Sequence, residues 1–416
     1  MEFSDGIFYG GYASSSSTLY LSTPLHGPWF VTGCGEGIEM AELELQSICK
    51  AFQHPVLDRL SIKVPQGEFF VIVGPSGIGK TTLLRCIAGL ENLDGGRILF
   101  DGQDVTNVPP YQRGAAMTFE SYALYPHKTV FENIASPLIA SKKEATEIRR
   151  QVEEVTKLLQ ISHLLERKPH EISGGQKQRT ALGRTLVAKP KVFLLDEPIS
   201  HLDAKIRAEL RIQFHTLQEL REVATVYVTH DYAEALSLGD RIGVMGDGGL
   251  VQIGTGREIF DQPNSLFVAQ HLGQPTINVV EGQLQKNDEN LVFQADEMIL
   301  PISKEVAGKL KNDSGRKVKI GLRPQFIHCL SEWKNENDTP VFHFQAEVEL
   351  NEALGSYGVL LVKSMGKSLT VLTSPEIHYS PGQKVELALE INRSLYFDSQ
   401  NGMNLEIGSS GIEVKG

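Results

Sequence analysis

No stretch of this chain holds the roughly 18 to 20 consecutive apolar residues that a membrane-crossing helix requires, so any work at a membrane falls to a partner. That excludes a self-contained channel or transporter. Cysteine is scarce: Cys34, Cys49, Cys86 and Cys329 are scattered, without a CxxC pair or metal-type spacing, which points to reduced cytosolic thiols. Also missing is any stripe of Lys and Arg that would neutralise phosphates. With a formal net charge of −11, the chain is a poor candidate for nucleic-acid binding. What remains is 416 residues of 41% hydrophobic composition, enough for two or three domains, each with its own core.

The first 39 residues differ from the rest. "GGYASSSSTLYLSTPLHGPW" is rich in Gly, Ser and Pro and nearly uncharged, and it lacks the cationic start and apolar core of a secretion signal. Immediately after it, Leu43 and Leu45 alternate with Glu42, Glu44 and Gln46 as a half-buried strand would. Met40 is therefore the expected start, with codons for Glu36 and Gly37 able to spell a ribosome-binding sequence. The alternative is a genuine disordered extension.

From residue 59 the pattern carries chemistry. "RLSIKVPQGEFFVIVGPSGIGKTTLLRCIAGL" reads as a strand, a turn, a buried strand from Phe69 to Val73, a Gly-rich loop and a helix. The loop, Gly74, Pro75, Ser76, Gly77, Ile78, Gly79, Lys80, Thr81 and Thr82, fits G-x-x-x-x-G-K-[ST]. Glycines let the backbone close around phosphate, successive N–H groups and the helix N-terminus face the anion, Lys80 reaches the terminal phosphates, and the Thr81 hydroxyl meets Mg²⁺.

A phosphate cradle needs a metal ligand and a base. In "KPKVFLLDEPISHLDA" four apolar residues, Val192 to Leu195, deliver Asp196 and Glu197 as the C-terminal end of a buried parallel strand does. Asp196 suits Mg²⁺, held through water, and Glu197 suits polarisation of the attacking water. The strand in "VATVYVTHD" ends at His230, placed for the γ-phosphate. Separately, "HEISGGQKQRTALGRTLV" opens a helix with Ser173, Gly174, Gly175 and Gln176, a second anion site that makes sense if it covers the nucleotide of another copy.

Together and in this order, these motifs resemble those of the ATP-binding cassette subunit of ABC importers, of the maltose and glycerol-phosphate type. The match rests on Walker A "GPSGIGKT", the signature "ISGGQ" (usually begun with Leu), Walker B "VFLLDEP", the D-loop "SHLDA" with Asp203, and the switch His230. It is dense from residue 40 to about 273 and weaker beyond. The resemblance implies an α/β P-loop NTPase cassette over 40–273, with a helical subdomain at about 121–185, and a peripheral ATPase on the cytoplasmic face of the membrane. It also implies Phe52 stacking on adenine, a head-to-tail dimer in which each ATP meets the partner's Ser173–Gln176 segment, two permease subunits received near Ser121–His127 in "SYALYPH", and an indirectly associated periplasmic or extracellular solute-binding protein.

Besides the Ile that opens the signature, two positions depart from the family. In "AAMTFESYALYPHKTV" Glu120 stands where a Gln would ligate Mg²⁺; a carboxylate still offers oxygen to the metal but adds negative charge near the γ-phosphate. His201 stands where the family has a small residue or Asn. A working variant, homodimeric, and a weakened cassette paired with another ATPase subunit both fit. Beyond 273, alternating runs such as "FHFQAEVEL" and "KVELALEI" suggest a small all-β barrel over 274–416, and "IGLRPQFI" resembles the family's GxRP element, implying an OB-like (TOBE) regulatory domain. A sugar, polyol or glycerol phosphate is the implied cargo, with polyamine or inorganic-ion import as the alternative. A cassette of DNA repair or translation is disfavoured: too few residues separate Lys80 from Ser173 for long coiled coils, and there is one cassette rather than two.

Overall fold

The structure, a computed structural model, describes residues 42–119, 121–217, 220, 222–287, 290–310, 313–335 and 338–406. The 1–39 extension, Met40 and Glu120 lie outside the described residues, so the readings placed on them stand as expectations.

Strand Phe69–Val73 shows why the first part of the chain folds as it does. All five residues are buried, Phe69, Val71 and Val73 in one core and Phe70 and Ile72 in another. Strand Val192–Asp196 divides likewise, with Phe193 and Leu195 on the first side and Val192 and Leu194 on the second. Successive side chains point to opposite faces, so a strand apolar at every position needs cover on both, the condition of a parallel sheet between two layers. These strands belong to a six-stranded sheet in the order Gly249–Gly254, Arg241–Gly246, Phe69–Val73, Ala224–Thr229, Val192–Asp196, Ala115–Thr118; only the Gly249–Gly254 edge is antiparallel. Parallel pairing carries the ends at Val73, Asp196 and Thr229 to one sheet edge, with Thr229 between the other two.

On the second face sits an antiparallel sheet ordered Pro55–Val64, Leu43–Ala51, Gly95–Phe100, Gln103–Asp104. It buries Leu43 and Leu45 and leaves Glu44 and Gln46 half-buried, the alternation expected from sequence. Against the first core pack helices Val130–Ala140, Ala145–Leu158 and Gly174–Leu186, through Ile134, Val152 and Leu182. The first of these starts in a capping box: Thr129 Oγ1 accepts from Glu132 N at 3.2 Å while Glu132 Oε2 accepts from Thr129 N at 2.7 Å.

The C-terminal part is β-rich, as the alternating runs suggest, and its strands form two five-stranded antiparallel sheets. Their orders are Met298–Pro301, Asn290–Ala295, Asn278–Asn287, Lys317–Leu322, Leu395–Asp398, and Ile327–Cys329, Lys384–Glu390, Val341–Ala353, Gly358–Ser364, Lys367–Thr373. Both sheets contribute to one core, Phe293 and Ile320 from the first, Val348 and Leu387 from the second. A short helix, Lys304–Lys309, is capped by Ser303. Alternation fixes which face of a strand is buried, not which strand lies beside it, so this division is not readable from the pattern. Arg323, in "IGLRPQFI", ties this part to the residues before it: buried over the Phe260 ring at 3.7 Å, it donates to the Leu272 carbonyl at 2.6 Å and the Phe260 carbonyl at 2.7 Å. Its burial lowers the guanidinium pKa to about 10.

Candidate functional site

The loop after Phe69–Val73 turns because its glycines permit it. A Cβ at Gly74 would stand 2.6 Å from the Met245 carbonyl oxygen, and Gly79, at φ +113°, would place one 2.6 Å from Val56 Cγ1. Helix Lys80–Ala88 then begins at Gly79 with no side-chain cap and no acid in its first turn. Lys80 is buried and folds back, Nζ donating to the Gly74 carbonyl at 2.8 Å and the Pro75 carbonyl at 2.9 Å. A cavity of about 480 Å³ opens here, lined by Phe52, Lys80, Thr81, Glu197, His201 and His230. Val56, Ser76, Gly77, Gly79 and Thr82 also line it, whereas Gly74, Pro75 and Ile78 do not.

Glu197 and His230, which directly follow the strand ends at Asp196 and Thr229, line this cavity. Asp196, 2% exposed, accepts at Oδ1 from Thr81 Oγ1 at 3.1 Å, and its own N–H donates to Thr118 Oγ1 at 3.0 Å. Two hard oxygen donors on facing elements suit a magnesium ion. Next in the chain, Glu197 has φ +43°, left-handed for a non-glycine residue. Its carboxylate, 15% exposed, lies with both oxygens 2.9 Å from His230 Nδ1, and the imidazole is 53% exposed. Base and switch candidates are thus already paired at the cavity wall.

Phe52 is 60% exposed, which rules out a core role, and Lys50 Nζ sits 5.0 Å from its ring centroid. The ring is an open platform at the cavity mouth. Ser173–Gln176 is elsewhere: none of its residues lines the cavity. Ser173 instead caps helix Gly174–Leu186, its Oγ accepting from Gln176 N at 3.3 Å and its N–H donating to Gln176 Oε1 at 2.9 Å. Asp203 caps helix Ala204–Thr216, accepting from Ile206 N at 3.0 Å. Across Ser121–His127 every residue is exposed or half-exposed, a surface loop rather than an aromatic core. Arg184 from the signature helix pins it, donating to the carbonyls of Ala123 at 2.8 Å and Tyr122 at 3.1 Å.

Sequence reasoning passed over several supporting residues. Gln178, two positions after the signature, donates Nε2 to the Glu197 carbonyl at 2.9 Å. Behind His230, buried Glu234 accepts from Tyr227 OH at 2.8 Å and Thr229 Oγ1 at 2.9 Å, and burial raises its pKa. Thr118 ends a strand as Asp196 does, the one available signal. The rest depends on tertiary approach.

With this geometry in place, comparison with known proteins gives a consistent result. Residues 57–200 match the family described as ABC transporter. The chain is 38% identical over 364 residues to the uncharacterized ABC transporter ATP-binding protein YurJ of Bacillus subtilis, covering 87% of this chain and 98% of that one. It is 38% identical over 380 residues to the sn-glycerol-3-phosphate import ATP-binding protein UgpC of Psychromonas ingrahamii, covering 88% and 96%. It is 40% identical over 372 residues to the trehalose/maltose import ATP-binding protein MalK of Thermococcus litoralis, covering 87% and 99%.

Proposed function

We propose, from the premise that this chain belongs to the ABC transporter ATP-binding family, that it is the ATP-hydrolysing subunit of an importer for a sugar, polyol or glycerol phosphate. The observation that carries this reading is the meeting of Lys80, Thr81, Glu197 and His230 at one cavity, with Asp196 held behind it by Thr81, while Ser173–Gln176 stays outside it. A site that is complete for phosphate and base but lacks its second anion cradle needs another copy.

In this reading the loop amides of 74–82 and Lys80 hold the phosphates, and Phe52 stacks on adenine. Thr81 and Asp196, with Glu120 as a further candidate, would hold Mg²⁺, which neutralises charge on the phosphate oxygens when bound. Glu197 takes the proton of the attacking water, and His230 orients that water and the γ-phosphate. Ser173, Gly174, Gly175 and Gln176 close over the nucleotide of the partner chain, and Asp203 holds the D-loop beside it. Among the described residues no helix is long and apolar enough to cross a membrane, in keeping with a peripheral subunit at the cytoplasmic face that receives two permease subunits on Ser121–His127. A periplasmic or extracellular solute-binding protein would take part indirectly. We take 40–273 as the cassette and 274–416 as an OB-like regulatory domain. The test is turnover of Mg-ATP by the full chain and its Glu197→Gln variant. That change should lower kcat on the order of 10²-fold to 10⁴-fold and trap an ATP-bound dimer; rapid turnover by the variant would refute the base.

A further inference from the structure

The D-loop carries a residue that the proposed mechanism leaves unused. His201 lines the same cavity as Glu197 and His230, and two contacts fix its place. Its Nδ1 lies 3.2 Å from Ser200 Oγ. Ser200 Oγ in turn donates to the Glu197 carbonyl at 3.1 Å. On its other side, the Tyr122 ring meets the imidazole edge-on, with centroids 6.3 Å apart and planes at 88°.

Hydrogen accounting gives this chain a direction. A carbonyl only accepts, and a hydroxyl has one hydrogen to give. Ser200 therefore spends its hydrogen on the Glu197 carbonyl and receives the one on His201 Nδ1, so the proton order runs from His201 to Ser200 to Glu197. The same carbonyl takes Gln178 Nε2 at 2.9 Å. These donors hold Glu197 where it needs holding, at a left-handed φ of +43° from which its carboxylate reaches His230. Tyr122 is itself left-handed, at φ +64°, and its carbonyl is gripped by Arg184.

We infer that His201 is a positioning residue of the hydrolytic site: through Ser200 it holds the backbone of Glu197, and it takes its own orientation from Tyr122 in the exposed 121–127 loop. Movement of that loop then reaches the base by a path of four residues, Tyr122, His201, Ser200 and Glu197. The inference rests on the reading of Glu197 as base.

The test is a double-mutant cycle on the full chain, with kcat and KM for Mg-ATP measured separately. His201→Ala should lower kcat about fivefold with little change in KM, the loss expected for one hydrogen bond in the reacting arrangement. His201→Asn, whose amide also donates to Ser200 Oγ, should recover most of it. In a Ser200→Ala background His201→Ala should cost nothing more, and Tyr122→Leu should lower kcat in the wild type but add nothing to His201→Ala. An unchanged kcat in His201→Ala, a rise in KM alone, or full additivity with Ser200→Ala overturns the role. A wild type no faster than Glu197→Gln overturns the base itself, and this role with it.

Discussion

Two helices of this chain begin at glycine-bearing turns suited to an anion, and they begin differently. Helix Lys80–Ala88 has no capping side chain and no first-turn acid. Helix Gly174–Leu186 caps itself, through the reciprocal Ser173 and Gln176 bonds. An uncapped N-terminus is open to an anion at once, whereas a self-capped one must give up part of its own box before it can serve phosphate. In the proposed reading the first cradle binds nucleotide in a single chain, and the second serves only when another copy comes within reach, so that the two would not compete for one ligand.

Of the two cradles, the first carries the larger expected effect. Lys80→Ala should weaken Mg-ATP binding by roughly 10-fold to 100-fold, the loss of charge-assisted bonds to phosphate. Because Lys80 also serves the carbonyls of Gly74 and Pro75, part of that loss comes from a loop no longer held together. Titration of the variant with a fluorescent ATP analogue measures it; wild-type affinity would break the comparison at its stronger end.

How much of this was legible beforehand follows the same division. Periodicity and spacing marked the buried strands at 69–73 and 192–196, and the parallel strands place Lys80, Asp196 and His230 at one edge because the acid ends a strand and the loop and imidazole each follow one. Ser173 was legible as a helix start. That its partner would be Gln176 in a capping box was written in the S-x-x-Q spacing but is decided only by the backbone that brings them together. The Gln178 donor on the Glu197 carbonyl and the approach of Tyr122 to His201 have no sequence signal, because each joins segments whose separation along the chain says nothing of their distance, and the left-handed φ of Glu197 and the Ser200 bond three residues on are set by a local turn that no residue type announces. The same holds for the two sheets of the C-terminal part, where strand Val341–Ala353 pairs with Gly358–Ser364 on one side and Lys384–Glu390 on the other.

A medium effect tests the second cradle. Ser173→Ala should leave binding to a single chain unchanged, because Ser173 does not line its own cavity, while dimer-dependent turnover falls about 10-fold. The measurement pairs nucleotide titration at dilution with ATPase rates at rising protein concentration. Weakened binding at dilution would place Ser173 at its own chain's nucleotide and remove the reason for a second copy.

The smallest effect separates the two duties of that hydroxyl. Ser173→Gly also removes it, but glycine at an N-cap costs only a few tenths of a kcal/mol where alanine costs about 1 kcal/mol. Denaturant midpoints should therefore rank wild type and Ser173→Gly close together, with Ser173→Ala below them, while both variants lose turnover alike. Turnover that instead followed stability would mean that the serine acts by holding its helix together. Turnover lost equally in both, against unequal midpoints, assigns the hydroxyl to the phosphate of the other copy and leaves the capping box as its resting position.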